Sequence, residues 1–217
     1  MAVRGVFITI EGADGVGKST QASRLASALR DAGKTVVETR EPGGSVNAEA
    51  IRKLVLTGAQ GSWTPMAEAL LMYASRAEHL EHLIKPALAR GDIIVCDRFS
   101  DSTRAYQAAA GALGADAAEV LDRLVVGDMQ PNLTVLLDLS VEEARARATG
   151  RDQNKSGAVD YFEQKSRDYH ERVAAAFREL ADRFPERIVR INAGKAEDEV
   201  FALIWETVSN RLALSDS

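Results

Sequence analysis

Nine consecutive residues, Gly12-Ala13-Asp14-Gly15-Val16-Gly17-Lys18-Ser19-Thr20, restrict what this chain can fold into more than any other feature. They follow directly on the β-branched apolar run Val6–Ile10 and lead directly into the helical pattern Lys18–Ala32. The spacing is G-x-x-x-x-G-K-[ST] between a strand and a helix, the context that gives this pattern its meaning. Glycines let the loop wrap closely around an anion so that successive N–H groups point inward, and the following helix adds its positive N-terminal end. Such a loop cradles phosphate. Lys18 would reach the β and γ phosphates of a nucleotide, and the Ser19 hydroxyl would ligate Mg²⁺.

A loop of this kind needs a parallel sheet around it, and the apolar periodicity supplies one. Val6–Ile10, Thr35–Thr39, Ile93–Cys96, Leu133–Asp138 and Ile188–Asn192 read as short strands. Between them, the 3.6-residue spacing predicts helices over Lys18–Ala32, Val46–Thr57, Pro65–Lys85, Ser100–Ala110, Asp116–Val126, Val141–Ala148, Asp160–Phe184 and Glu197–Ala213. Strands alternating with helices imply an α/β fold with a central parallel sheet covered on both faces. Thr64-Pro65 reads as an N-cap with Pro at the first helical position, Gly33 and Gly91 as C-terminal glycines, and Pro86 as a break or kink in the preceding helix. Residues 149–160, polar and poor in apolar side chains, read as a mobile lid between two helices. With no repeat and no linker, residues 1–217 form one expected domain.

Composition removes several alternatives. With 27 Lys+Arg against 32 Asp+Glu, the net charge of −5 offers no bulk field for a nucleic acid or an anionic membrane. An anionic ligand must therefore be met locally by arginines. The longest apolar runs fall far short of the ~20 residues of a membrane span, and no basic segment leads into a cleavable apolar stretch near Met1, so a cytoplasmic protein is expected. The single cysteine, Cys96, excludes an intramolecular disulfide and reads as a small buried apolar side chain.

Asp97-Arg98 follows the third strand, where open parallel sheets bind their ligands. The carboxylate could hold a magnesium-bound water, and the guanidinium could clamp a phosphate bidentately. Thr39-Arg40-Glu41-Pro42-Gly43-Gly44 is a second unusual turn at a strand end. His79 and His82 lack a third metal ligand and read as surface positions, while Trp63 and Trp205 read as core or interface anchors.

Together these motifs, with Glu11, Met72-Tyr73-Ala74-Ser75-Arg76, Phe99 and Ser102-Thr103-Arg104-Ala105-Tyr106-Gln107, resemble the bacterial thymidylate kinases over about residues 3–210. The resemblance implies the P-loop nucleoside monophosphate kinase fold, a five-stranded parallel sheet with a lid, and a homodimer. It implies phosphorylation of dTMP to dTDP by ATP with Mg²⁺ held by Ser19 and Asp97. Carried over by position, Asp14 meets the deoxyribose 3′-hydroxyl, and Arg40, Arg76 and Arg98 surround the dTMP phosphate and base, with Arg52 adjacent and Glu41 counted among the catalytic residues. Glu41 precedes Pro42 across a peptide bond that such turns often hold cis. Met72 stands where relatives stack Phe on thymine; Ser102, Thr103 and Gln107 read the base edge; Tyr106 crowds out a ribose 2′-hydroxyl. Arg147 matches the position that packs on adenine. Because Gly15 occupies the loop position that is arginine in one subclass, the resemblance assigns the catalytic arginine to the lid, at Arg151.

The motifs leave two alternatives standing: a kinase for another nucleoside monophosphate, and a nucleotide-dependent switch. A switch would need an effector surface and a water-orienting residue, neither of which the sequence reveals.

Overall fold

The computed structural model describes residues 5–57, 63–152 and 166–212, with only the backbone for 148–152. Five strands, β1 (Val6–Glu11), β2 (Val36–Arg40), β3 (Ile93–Asp97), β4 (Leu133–Asp138) and β5 (Ile188–Asn192), form one parallel sheet in the order β2-β3-β1-β4-β5. Every expected strand is present: β4 and β5 match at both ends, and β1, β2 and β3 differ by no more than one residue at either end. The central strand β1 has chain departures to both sides, so its carboxyl end lies at the crevice where α/β sheets bind ligands. Register makes this concrete. Ile10 pairs with Asp97 and Arg40 with Asp97, which brings the ends of β1, β2 and β3 level with one another just before the glycine-rich loop.

Both faces of the sheet are buried, as the near-continuous apolar strands require. On one face Ile8, Ile10, Val95 and Leu137 pack against Leu25 and Leu29 of α1 (Lys18–Asp31) and Ile204 and Val208 of α9 (Glu197–Leu212). On the other, Phe7, Ile94 and Cys96 pack with Tyr73 of α3 (Pro65–His79) and with Leu80 and Ile84 just beyond it. Leu136 on the same face meets Val173 and Phe177 of α8 (Arg167–Arg183). Cys96 is buried, as expected.

Helix termini follow local chemistry. Thr64 caps α3 by accepting the Ala67 N–H, Ser45 caps α2 (Val46–Leu56) by accepting that of Ala48, and Pro65 opens α3. Ahead of Pro86 the regular α-helix is interrupted but the chain does not leave the helical path. The helix passes through a wider π turn at Leu80–Ile84, where the Lys85 N–H donates to Leu80 O, and continues as α4 (Lys85–Ala89) with Pro86 in its first turn. The extra residue in the wide turn accommodates the proline's missing N–H and its ring.

The expected helix over Ser100–Ala110 is likewise a short α5 (Ser100–Thr103) followed by π turns at Arg104–Ala109. Next come α6 (Ala115–Val125) and α7 (Val141–Asp152), the latter one turn longer than the apolar pattern suggests. α8 begins at Arg167, where extended Ser166 caps it by accepting the Tyr169 N–H; the expected start at Asp160 lies outside the described residues. The expected lid overlaps the end of α7 at 149–152 and otherwise lies outside the described residues.

Candidate active site

The loop between β1 and α1 adopts the conformation its glycines permit. Gly12 has φ 140°, and a Cβ there would stand 2.5 Å from Leu137 O of the neighbouring strand. Gly15 has φ 84°, and a Cβ there would collide with the Ala144 carbonyl of α7. Ala13 and Val16 are buried, anchoring the loop to the core, while Ser19 and Thr20 emerge at the start of α1. Lys18 folds back so that Nζ donates to Ala13 O at 2.6 Å. Burial, with Arg98 adding like-charge repulsion, pushes its pKa down from 10.5 to about 8, against the pull of Asp14, Asp97 and Glu11.

Ser19 and Asp97 meet at the end of β3, where the Ser19 hydroxyl donates to Asp97 Oδ2. Asp97 Oδ1 is buried and has no hydrogen-bond partner. A lone carboxylate oxygen beside a hydroxyl, at the mouth of a phosphate loop, is the donor set that suits Mg²⁺, a hard cation that takes one or two protein oxygens plus phosphate and water. No group of three His, Cys, Asp or Glu side chains that could cage a metal occurs among the described residues.

Arg98 links this loop to a second site. Its backbone lies in the left-handed region at φ 69°, unusual for a residue with a side chain and a form of strain that concentrates at functional sites. Its guanidinium donates to Gly12 O (3.2 Å), Ser102 Oγ (3.0 Å), Tyr106 OH (3.2 Å) and the Asp14 carboxylate. Tyr106 in turn donates to Asp14 Oδ2 at 2.8 Å. Burial alone would raise the Asp14 pKa; Arg98, Lys18 and the Tyr106 hydroxyl outweigh it and hold the carboxyl below its ordinary range.

Beyond Arg98 opens a cleft. Glu41, Arg52, Met72, Arg76, Arg98, Ser102, Thr103, Tyr106 and Gln107 line it, joined by Pro42, Leu56 and Phe99. Nearly all the expected acceptor-site residues therefore converge. Arg76 is buried between the rings of Tyr73 and Phe99 (4.9 and 5.1 Å), and donates to Glu41 Oε2 (2.8 Å) and Thr103 Oγ1 (3.1 Å). Its Nη1 is buried and unpartnered. Gln107 Nε2 donates to Glu68 Oε1 at 2.8 Å, which orients the amide. Arg52 donates to Pro42 O at 2.8 Å.

Two positions depart from expectation. Arg40 lies outside the cavity lining, turned instead onto Glu49 at 3.0 Å with both side chains about half exposed, because the edge strand β2 ends by directing it outward. Glu41, expected to be catalytic, lines the cavity with one oxygen on Arg76 and the other on His79. His79 is fully buried rather than on the surface, since α3 turns this face toward the 41–44 turn; His82 is exposed. The Glu41-Pro42 peptide is cis. Trp63 and Trp205 are partly buried, Trp205 against the α1/α9 core.

Arg147 donates to Ala193 O beyond β5, at the edge of the loop site. The side chain of Arg151 lies outside the described residues.

Sequence reasoning named Glu11 within the resemblance without giving it a role, and missed Glu68. Glu11, buried at the end of β1, accepts from the N–H groups of Phe99 (2.7 Å) and Ser102 (3.2 Å) and from the Ser102 hydroxyl (2.7 Å). Burial, reinforced by Asp101, pushes its pKa from 4.5 to about 7. A charged residue closing an otherwise apolar strand was the available signal.

The family model of thymidylate kinase matches residues 10–204, spanning both the loop and the cavity. The chain belongs to the thymidylate kinase family. It is 48% identical over 211 residues to the thymidylate kinase of Caulobacter vibrioides, covering 97% of this chain and 99% of that one. It is 44% identical to that of Pseudomonas fluorescens, covering 97% and 98%. The crystal structure of thymidylate kinase from Ehrlichia chaffeensis superposes with a TM-score of 0.76 at 30% identity, covering 95% of this chain and 99% of that chain. Arg98 stands between the glycine-rich loop and the cavity.

Proposed function

We propose that this chain transfers the γ-phosphoryl group of ATP to the phosphate of dTMP, releasing ADP and dTDP, as a homodimer in the cytoplasm. The observation that carries the reading is Arg98: one guanidinium touches the phosphate loop through Gly12 O and also lines the acceptor cavity. The two phosphates that must meet are thereby brought to opposite sides of one cation.

The residue roles in this reading are those the family resemblance implies. The loop 12–20 wraps the ATP phosphates with its N–H groups, and Lys18 supplies a charge to the β/γ oxygens. Ser19 and Asp97 would hold Mg²⁺, which when bound would supply neutralisation of negative charge on the phosphates. Arg98, with Arg52 at the cavity wall, holds the acceptor phosphate. Arg76 Nη1, a buried donor with no protein partner, selects a base that presents a carbonyl, supported by Thr103, Ser102 and Gln107 at the polar edge. Met72 and Phe99 form apolar walls for the ring. Asp14 meets the 3′-hydroxyl, Tyr106 fills the space a 2′-hydroxyl would need, Arg147 packs on adenine, and Arg151 in the lid reaches the transferring group. No dedicated base is required, because a phosphate monoester with a second pKa of ~6 is already largely dianionic at pH 7.

A coupled assay for ADP with ATP plus dTMP, dUMP or dCMP tests the reading. Turnover with dTMP and a marked loss with dCMP, whose amino group would oppose the Arg76 donor, is expected. ADP release independent of any monophosphate would point instead to a nucleotide switch.

A further inference from the structure

A chain of hydrogen bonds, part-buried at Thr39 and buried beyond it, runs from the edge strand into the acceptor cavity through His79, which does not line the cavity. Thr39 Oγ1 lies 2.8 Å from His79 Nε2; His79 Nδ1 lies 2.9 Å from Glu41 Oε1; and Glu41 Oε2 accepts Arg76 Nε at 2.8 Å. The chain ends at Arg76 Nη1, the buried donor without a protein partner.

We infer that His79 is the positioning residue for the base-reading arginine, acting through Glu41. The inference rests on the assignment of Arg76 to the base. The partners define the proton arrangement. A carboxylate paired with Arg76 only accepts, so His79 Nδ1 donates to it, and in the neutral ring Nε2 is left to accept the Thr39 hydroxyl proton. Glu41 by itself is a poor fixture for Arg76, because a carboxylate held at one oxygen can swing about its own torsions. With Oε1 pinned by an immobile ring, Oε2 has one place to be, and the fork of Arg76 has one orientation. His79 is immobile for a packing reason as well: it is wholly buried, and a side chain at Gly44 would run into its ring. Arg76 and His79 are three apart on α3, so one helix face carries both the reader and its brace.

The test compares His79→Leu, which keeps bulk and removes both hydrogen bonds, with His79→Asn, which keeps a donor near the Nδ1 position. Wild-type turnover of dTMP is measured first, since its absence would overturn the function rather than this inference. Leaving a buried Glu41 oxygen unpaired is expected to raise the dTMP KM of His79→Leu about tenfold and to narrow dTMP-over-dCMP discrimination by a similar factor, with ATP KM within about twofold. His79→Asn should recover most of that loss. Thr39→Val, which frees the ring but leaves α3 untouched, should give a smaller change of the same kind, and guards against a His79 variant that fails to fold. Adding His79→Leu to Arg76→Ala should cost nothing further in dTMP KM. The inference is overturned if dTMP KM and base preference stay at wild-type values in His79→Leu, or if ATP and dTMP KM rise together as melting falls.

Discussion

The charged groups of the site are buried before any nucleotide arrives, and their protonation reports it. Lys18, held down to about 8, should be stabilised as an ammonium when phosphate oxygens replace the Ala13 carbonyl as its partner. ATP binding at pH 8 is then expected to take up as much as about half a proton at this group, measurable by calorimetry in buffers of different ionisation enthalpy. The uptake should vanish in Lys18→Ala, and kcat should fall about 10²–10³-fold, the usual loss for one electrostatic donor. Uptake that persists in the variant would refute the assignment. Glu11 carries the opposite sign of linkage. The folded chain keeps its proton to about pH 7, whereas the unfolded chain releases it near 4.5, so between these values the folded state binds more protons and loses stability as pH rises. The full effect is about 3 kcal/mol, present above pH 7 and absent below 4.5. Glu11→Gln removes the titration, so its melting temperature relative to wild type should climb between pH 5 and pH 7 and then level off. A constant difference across that range would show that the Glu11 proton is not linked to folding.

At the scale of elements, what could be read beforehand was whatever depends on local pattern. The alternation of strand and helix, the glycine-rich loop after β1, and the Thr64 and Pro65 start of α3 were all legible, because period, capping and backbone freedom are properties of neighbours in sequence. The π turns at Leu80–Ile84 and Arg104–Ala109 were not, since one inserted residue in a helix barely disturbs an apolar period. Burial of His79 was missed for a related reason: its environment is made by the 41–44 turn, far away in the chain. Gly15 was read as the mark of a lid-supplied arginine, and the fold adds a physical reason. Since α7 sets the Ala144 carbonyl against this position and φ is positive, no side chain fits there without moving α7. Arg151→Ala is therefore expected to lower kcat and kcat/KM together with little change in ATP KM, the signature of an interaction made in the transition state. Gly15→Arg should not restore the rate in that background. Rescue would mean that α7 yields readily and that the two arginine placements are interchangeable.

For the whole molecule, the remaining question is what covers α2, α3 and α6. These helices pack side by side on one flank of the sheet, α3 touching both others, and each displays large apolar side chains to solvent: Leu54 on α2, Met66 and Leu70 on α3, Val120 and Leu124 on α6. Leu124 is 79% and Val120 60% exposed, one helical turn apart, so α6 presents a stripe rather than a stray residue. Single exposed leucines are ordinary, but a cluster on adjoining helices marks an interaction surface. The expected occupant is the same surface of a second copy, because an isologous contact lets each helix meet its counterpart about a two-fold axis and closes at two subunits. This face adjoins the acceptor site, since α3 also carries Met72, Arg76 and His79, and that predicts a coupling between assembly and binding. Leu124→Glu places an unpaired charge in the contact without touching the core and should convert a dimer to a monomer by light scattering. Because α3 loses its support, the dTMP KM should rise several-fold in the monomer, while ATP KM, set on the far side of the sheet by α1 and the loop, stays near wild type. A variant that remains dimeric would remove this face as the interface, and a monomer with unaltered dTMP KM would show that the acceptor site is rigid without its partner.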